Sequence, residues 1–358
     1  MSTIQGVPDL GPGLRLHLNE NTGGCSPAVV NAVHAFDATA LARYPDYRAA
    51  VVEAAAFHGV DPERLVLTNG LDEGILLASI AYLGARTPPG LAEIGAPVVL
   101  PSGQPEVVMA MPAFDPYVTA ATAMGARIVP VAPGPGYAFP VDGVVRAITA
   151  NTRLVYVNNP NNPTGQPVSN GDIRRVIDAA GHALVFVDEA YHDFLGETFL
   201  ADALAYPNVL VGRTFSKAHG LAGLRVGVMI APPPILEPIR FVMPIFNLNV
   251  IAVEALRAAL KDSTFTPWYV AQVRESKALL YAALDRCGLR HWKSAANFVL
   301  VDGGARSRTL VDGLTARGVL VRDRSHDPYC PNGIRITTGV VEHTERAVRA
   351  LEELCGKA

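Results

Sequence analysis

Residues 214–227 read TFSKAHGLAGLRVG, and the prediction of the fold starts from this segment. It follows Val209-Leu210-Val211, an apolar run short and β-branched enough to predict a buried strand. A lysine directly beyond such a strand lies in the crevice where open α/β sheets bind ligands, and Lys217 is the first of only five lysines. Desolvation would lower the pKa of its amine and suit it to imine chemistry with a carbonyl cofactor. The alternative is a surface lysine in a polar loop.

Two more apolar runs end in polar residues in the same way. Residues 153–157 run into NNPNNPTG at residues 158–165, and residues 182–187 run into DEAY at residues 188–191. A helix-like stretch over residues 172–180 separates the two runs. Apolar strands that alternate with helices predict a parallel sheet covered on both faces, with the polar strand ends converging on one crevice.

The chain of 358 residues is longer than one hydrophobic core usually holds, so we expect a large and a smaller domain. The large α/β domain is predicted over residues 37–240. The smaller domain, of the α+β class, would combine residues 1–36 with residues 241–358, where long helices precede short strands. Residues 86–105 form a longer loop than is usual in a compact domain and are a candidate lid.

Composition limits the classes of function. Hydrophobic residues make up 49% of the chain, and the formal net charge is −3 with no basic run, which argues against a nucleic-acid partner. The four cysteines have no C-x-x-C spacing, as expected of reduced thiols rather than of a disulfide frame or a zinc site. Residues 1–6 carry no signal-peptide pattern, and no run of eighteen apolar residues occurs. We therefore expect a soluble, cytoplasmic protein with no membrane partner.

Asp188 ends an almost wholly apolar run and is a candidate for cofactor chemistry. A carboxylate there must be paired or protonated, because an isolated buried charge is costly. A protonated pyridine nitrogen would be a suitable partner, and Asn162 and Tyr191 could hydrogen-bond a phenolate oxygen on the same ring. Phe114 could stack on that ring or simply belong to the core. A helix cap or a metal ligand is the alternative for Asp188, although the region lacks the clustered His, Cys and acidic residues of a metal site.

A second group of residues could hold a phosphate. Residues 68–73 form a polar turn before an apolar helix predicted over residues 74–83. Such a helix start binds phosphate through its unpaired N–H groups and the helix dipole. The alternative is an ordinary N-cap by Asn69 or Asp72. Further donors flank the lysine: Thr214, Ser216 and Arg225.

Together these motifs resemble the fold-type I pyridoxal-phosphate aminotransferases. The motifs that carry this resemblance are NNPTG at residues 161–165, DEAY at residues 188–191, Ser216-Lys217, Arg225 and Arg335. Within that group the chain is most similar to the histidinol-phosphate aminotransferases, and the similarity covers nearly its whole length. The additional motifs are NEN at residues 19–21, YPD at 44–46, NGLDE at 69–73, GLAGLR at 220–225 and RITTG at 335–339.

The resemblance implies pyridoxal 5′-phosphate as the cofactor and a role for each residue. Lys217 would bond to the cofactor and shuttle a proton between the substrate's Cα and the cofactor's C4′, while Asp188 would pair with the pyridine nitrogen. Asn162 and Tyr191 would hold the ring hydroxyl, and Phe114 would stack on the ring. The cofactor phosphate would be bound by Leu71, Asp72, Thr214, Ser216 and Arg225.

The resemblance also implies a homodimer with shared active sites and a mixed, mostly parallel sheet. Tyr44 would reach the cofactor phosphate of the neighbouring subunit, Arg335 would bind the substrate's acidic group, and Arg322 would be available for a second anion. In the family, the NEN motif is commonly followed by Pro-Tyr-Gly, whose tyrosine helps to bind a substrate phosphate. Here Thr22-Gly23-Gly24 stands in that place, which leaves the cofactor chemistry intact and the substrate open.

Three functions remain in view. The leading hypothesis is reversible transamination between an amino donor and a 2-oxo acid in amino-acid biosynthesis, with histidinol phosphate and glutamate as the first pair and an aromatic amino acid next. A decarboxylase is the second, because the bond cleaved depends on its angle to the cofactor ring. The third is a binding or regulatory protein without turnover. The joint presence of a lysine, an aspartate, an asparagine and a tyrosine in the expected motifs argues against that third function.

Overall fold

The computed structural model describes residues 3–4, 7–8, 13–84 and 103–357. Its strands are β1 Thr3–Ile4, β2 Val7–Pro8, β3 Leu14–Leu16, β4 Leu65–Asn69, β5 Glu106–Ala110, β6 Arg127–Val131, β7 Thr152–Asn158, β8 Leu184–Asp188, β9 Val209–Thr214, β10 Val226–Ile230, β11 Arg290–His291, β12 Phe298–Asp302, β13 Val319–Asp323 and β14 Gly333–Thr337. Its helices are α1 Pro27–His34, α2 Ala38–Leu41, α3 Tyr47–His58, α4 Gly70–Leu83, α5 Asp115–Ala123, α6 Val141–Ala147, α7 Asn170–Ala179, α8 His192–Leu195, α9 Leu200–Ala203, α10 Pro233–Val242, α11 Val250–Lys261, α12 Phe265–Arg286, α13 Ser307–Ala316 and α14 Val341–Leu354.

The larger sheet has seven strands in the order β4-β10-β9-β8-β7-β5-β6. Strands β9, β8, β7, β5 and β6 are mutually parallel, whereas β10 runs antiparallel to both of its neighbours, β4 and β9. The prediction of an α/β fold with a mixed, mostly parallel sheet is confirmed.

Side chains of the central strands alternate between two buried clusters. Leu154, Tyr156 and Phe186 belong to the cluster with α4, α5 and α10. Val155 and Val185 belong to the cluster with α3, α7 and α11. Because helices cover both faces, these strands have no polar face, which explains their unbroken apolar sequences. Their polar residues therefore appear where the strands end.

The smaller sheet has the order β11-β12-β14-β13-β3. It is antiparallel except for β3, which pairs in parallel with β13 and so brings the N-terminal arm to the C-terminal part of the chain. Helices α12, α13 and α14 pack on it through Leu280, Leu314 and Leu351. The division into residues 37–240, and 1–36 with 241–358, stays a prediction. Helix α10 spans its boundary, and α11 contributes to the core of the larger sheet.

Helix α4, strand β10 and helix α10 are among the elements that differ from the sequence prediction. Helix α4 begins at Gly70 rather than at residue 74, because the Glu73 carboxylate accepts from the N–H of Asn69 at 2.6 Å and fixes the chain one turn earlier. Asn69 occupies the N-cap position but makes no capping bond with its side chain. Strand β10 and helix α10 were not predicted. The latter starts at Pro233, since proline is tolerated in the first turn of a helix.

Two expectations concern loops and membranes. The candidate lid lies largely outside the described residues, which resume at residue 103. Within the described part of the chain, no helix has the length and apolar character needed to span a membrane.

Candidate active site

The candidate active site lies where β7, β8 and β9 end at one edge of the larger sheet. In the strand register Asn158 is opposite Asp188, and Asp188 in turn lies opposite β9. The segments that follow these three strands carry Asn162, Tyr191 and Lys217. Because parallel strands place their carboxyl ends together, these side chains share one edge.

Asp188 is a buried acid without a cation. It is 2% exposed, and no described lysine, arginine or histidine forms an ion pair with it. Its Oδ2 accepts from the Tyr117 hydroxyl at 2.5 Å, and its Oδ1 accepts from the N–H of Ala190 at 2.9 Å. Burial raises the pKa of Asp188 to about 6, and these two hydrogen bonds oppose that rise. A cationic ring nitrogen beside this carboxylate would supply the missing charge.

Tyr117 is a functional candidate that the sequence did not reveal. It lies in the first turn of α5 and is fully buried, with its ring stacked on that of Tyr156 at 4.1 Å between centroids. Phe114 contacts it edge-on at 5.6 Å. Burial, followed by the charge of Asp188, raises the pKa of the Tyr117 hydroxyl well above its usual value, so this group stays a donor. In the sequence, a tyrosine in an apolar segment is indistinguishable from a core residue.

The N-terminal arm holds the amine of Lys217. Its Nζ donates to the carbonyl oxygen of Leu18 at 3.2 Å and lies 5.8 Å from the ring centroid of Tyr191. Asn19 donates from Nδ2 to the hydroxyl of Tyr191 at 2.9 Å. Burial, with the positive charge of Arg335 nearby, lowers the pKa of Lys217 to about 8. More of this amine is therefore neutral at physiological pH, and the neutral form attacks carbonyl carbon.

Arg335, on β14, reaches from the smaller sheet to the larger one. Its Nη1 donates to Asn162 Oδ1 at 2.5 Å and its Nη2 to the carbonyl oxygen of His17 at 2.8 Å. Its Nε is buried and has no partner among the described residues. Arg322 lies opposite it on β13. Burial and the charges of Arg15, Arg322 and Arg335 lower the pKa of His17 to about 4, which marks an electropositive corner suited to an anion.

The start of α4 meets the segment that follows Lys217. Arg225 has a left-handed backbone (φ 55°), and its Nη2 donates to Asp72 Oδ2 at 3.1 Å. A Cβ at Gly70 would come within 2.5 Å of that Nη2, so glycine is needed for the guanidinium to lie across the helix start. Thr214 and Ser216 are buried nearby, and the N–H of Ser216 donates to the Thr214 hydroxyl at 3.2 Å. First-turn amides, hydroxyls and an arginine form a cradle suited to phosphate.

Two predicted residues lie at the margin of this arrangement. Phe114 is half-buried at the N-cap position of α5. Tyr44 is 75% exposed and stacks on Phe246 with 3.9 Å between ring centroids. Within one chain, no described hydrogen bond or ring contact joins Tyr44 to Lys217, and its role toward a neighbouring subunit stays a prediction.

These features fit pyridoxal phosphate. A phosphate cradle, an amine of lowered pKa and a buried acid that lacks a cation surround one edge of the sheet. Over the described ranges, His, Cys, Asp and Glu form no group of three or more that could hold a metal ion.

Known proteins provide an independent comparison. A model of the family Aminotransferase class I and II matches residues 12–351. The histidinol-phosphate aminotransferase of Moorella thermoacetica is 36% identical over 361 residues, with 98% of this chain and 86% of that protein covered. That of Anoxybacillus flavithermus is 34% identical over 350 residues, covering 95% of this chain and 88% of that protein.

Solved structures share the fold. The histidinol-phosphate aminotransferase of Sinorhizobium meliloti, in complex with pyridoxal-5′-phosphate, is 25% identical with a TM-score of 0.83, covering 96% of this chain and 91% of that one. The L-threonine-O-3-phosphate decarboxylase of Porphyromonas gingivalis is 20% identical with a TM-score of 0.79, covering 96% and 99%. The second likeness shows the fold alone.

Proposed function

The chain belongs to the class I and II aminotransferases, and we propose that it transfers an amino group from histidinol phosphate, or a closely related amine, to a 2-oxo acid. It is a pyridoxal-phosphate-dependent aminotransferase. When bound, pyridoxal phosphate supplies an aldehyde that holds the substrate nitrogen and a cationic ring that withdraws electrons from the Cα bond being broken.

The observation that carries this proposal is the placement of Lys217 and Asp188 at the ends of adjacent parallel strands. Lys217 supplies an amine of lowered pKa that would hold the cofactor and would move the proton at the substrate's Cα. Asp188 supplies a buried carboxylate that keeps the ring nitrogen protonated. Tyr117 orients that carboxylate through its hydrogen bond.

The remaining side chains hold the cofactor and the substrate. Asn162 and Tyr191 hydrogen-bond the ring hydroxyl, and Phe114 covers the ring face. Arg335 binds the substrate's acidic group through its unused Nε–H, and Arg322 binds a second anion. The cofactor phosphate is bound by Leu71, Asp72, Thr214, Ser216 and Arg225.

The active enzyme is a homodimer, and it works in amino-acid biosynthesis in the cytoplasm. Exposed apolar side chains support the dimer, because Ile245 is 82% exposed and Phe241 is 58% exposed near the stacked pair Tyr44 and Phe246. Apolar surface of this kind is typical of subunit interfaces. In the dimer, Tyr44 contacts the cofactor phosphate of the neighbouring subunit. The four free cysteines suit a reducing compartment.

One observation favours an aromatic amino acid as a second substrate. A Cβ at Gly23 would lie 2.9 Å from Cη2 of Trp268, so the indole fills the space of any side chain at position 23. Asn21, two residues earlier, donates to the carbonyl oxygen of Ala218 at 3.0 Å, which places this corner beside Lys217. Trp268 is 45% exposed, and an exposed aromatic ring can contact an apolar substrate ring.

A half-reaction assay tests the proposal. The holoenzyme is mixed with histidinol phosphate, histidinol, phenylalanine or glutamate, and the cofactor absorbance and the products are followed. We expect histidinol phosphate to give a ketone, and histidinol, which differs only by the phosphate, to react far more slowly. If phenylalanine is converted faster than histidinol phosphate, an aromatic amino acid is the preferred substrate. Carbon dioxide without a keto product would identify a decarboxylase, and an unchanged spectrum with every amine would refute both proposals.

A further inference from the structure

An ion pair joins the two sheets beside the candidate site. Arg324 Nη1 donates to both carboxylate oxygens of Asp115, at 3.0 and 2.9 Å, while Nη2 donates to Asp327 Oδ2 at 2.7 Å. Asp115 is the first residue of α5 on the larger sheet, and Arg324 directly follows β13 of the smaller sheet. Among the ion pairs of the described residues, no other connects these two sheets or their helices.

Asp115, the partner on the larger sheet, lies next to the residues that we assign to the cofactor ring. Asp115 directly follows Phe114, which we assign to the ring face. Two residues later, Tyr117 donates to the carboxylate of Asp188. A shift of the first turn of α5 would therefore move both contacts.

Arg324, the partner on the smaller sheet, lies next to the two arginines that we assign to anion binding. Arg324 lies two residues after Arg322, and its N–H donates to the carbonyl oxygen of Gly333 at 2.8 Å. This bond continues the β13–β14 ladder, in which Arg322 is opposite Arg335. A shift of Arg324 would therefore move both arginines.

A second contact between the two sides joins Tyr137 to Trp292, which directly follows β11 of the smaller sheet. Tyr137, from the larger sheet's side, has a left-handed backbone (φ 66°), a strained conformation for an aromatic residue. Its ring lies edge-on to Trp292, with 4.7 Å between centroids. The smaller sheet's side therefore contacts the larger sheet's side at Tyr137 as well as at Asp115.

We propose that Asp115 and Arg324 are positioning residues that fix the spacing between the ring-face turn of α5 and the two anion-binding arginines. The proposal rests on the proposed function, since it takes the roles of Phe114, Arg322 and Arg335 from there. Asp115 is 60% exposed, and such ion pairs add little to overall stability. Loss of the pair leaves the fold intact, but the distance between the first turn of α5 and the two arginines is no longer fixed. A substrate that contacts both sides requires this distance to be fixed.

The test is a double-mutant cycle on the holoenzyme with Asp115→Asn, Arg324→Gln and the double variant. Asp202→Asn is the matched control, because it removes an exposed Asp–Arg pair with Arg174 at 2.6 Å elsewhere. Calorimetry measures the Kd of succinate, a dicarboxylate without an amino group, and of inorganic phosphate. Kinetics with the best amino donor give KM and kcat separately, and the cofactor absorbance reports the ring environment.

We expect each single variant to weaken succinate binding and raise KM about tenfold, and the double variant to be no worse than the poorer single one. The cofactor affinity and Tm of these variants stay at wild-type values, and so do the succinate Kd and the KM of the control variant Asp202→Asn. Arg324→Lys recovers part of the lost succinate affinity. Additive losses, unchanged Kd and KM, or a wild type that binds neither anion would overturn the proposal. Failure of the proposed function would give a different result. The wild type would then show no turnover with the amino donors, while the Kd of succinate could still change non-additively in the double-mutant cycle.

Discussion

The hydroxyl of Tyr117 donates a 2.5 Å hydrogen bond to Asp188 Oδ2 inside a core that excludes water from both side chains. This donor stabilises the charged form of the carboxylate, whose pKa burial raises to about 6. Asp188 can keep a ring nitrogen protonated only while it is ionised, so the strength of this bond bears directly on the chemistry.

Tyr117→Phe should lower kcat about tenfold to a hundredfold, since a hydrogen bond to a buried charged group contributes about 1.5–3 kcal/mol. The same variant should raise the pKa of Asp188, which NMR of the cofactor-free protein would measure. Tyr156→Phe is the matched control, because its equally buried hydroxyl contacts Ser79 at 3.1 Å instead. Equal effects of the two substitutions on kcat would contradict the assignment.

Lys217→Ala should abolish turnover while the protein still binds pyridoxal phosphate without a covalent bond. Borohydride treatment of the wild type should label a peptide that contains Lys217. Lys277→Ala is the control, because burial also lowers the pKa of Lys277 to about 8, yet its amine donates to the carbonyl oxygen of Ser294. Full activity in the first variant, or loss of label in the second, would refute the role of Lys217.

The rate at which the cofactor-free protein captures pyridoxal phosphate should rise with pH, with a midpoint near 8. The folded-state pKa of Lys217 is depressed below its usual value, so the reactive neutral amine accumulates as the pH passes about 8. Stopped-flow absorbance between about pH 6 and 12 measures the midpoint, with ~10.4 expected of an ordinary lysine. A midpoint at the ordinary value would show that burial does not tune this amine.

Arg335→Gln should raise the KM of a carboxylate-bearing substrate about a hundredfold, or ~2.7 kcal/mol, through loss of a charge-assisted contact. It should also move the capture midpoint of Lys217 upward, because the charge of Arg335 helps to lower that pKa. Arg322→Gln provides the comparison, since it should affect only substrates with a second anionic group. A KM unaffected by both substitutions would exclude this corner as the anion site.

Light scattering should give a mass of twice the 37.9 kDa chain. Ile245→Glu should convert the protein to monomers, because burying an unpaired carboxylate in an apolar interface is costly. If Tyr44 serves the neighbouring subunit, the monomer should also bind pyridoxal phosphate more weakly, as a fluorescence titration can measure. A wild-type protein that is monomeric and fully active would refute the shared site.

Much of the fold could be predicted because its signals are local. The sequence predicts a helix over residues 47–58, because Tyr44-Pro45-Asp46 interrupts the preceding helical pattern, and this helix is α3, Tyr47–His58. Asp46 caps its start, and Gly59 ends it. The buried strand before Lys217 and the one ending at Asp188 were predicted in the same way, from apolar β-branched runs followed by polar residues.

What the sequence could not reveal depends on contacts between distant segments. Strand β10 lies between β4 and β9, an arrangement that its own five residues do not specify. The bond between Tyr117 and Asp188 spans 71 residues, and the bond from Lys217 to Leu18 spans 199. No periodicity encodes such pairs, since they exist only once the sheets have formed.

The contacts of residues 17–21 also set the order in which the enzyme can become active. Leu18 receives the amine of Lys217, Asn19 reaches Tyr191, and His17 accepts from Arg335, 318 residues later in the chain. On the ribosome this early segment emerges long before any of its partners has been made. A nascent chain therefore cannot present a finished catalytic pocket until translation has passed β14.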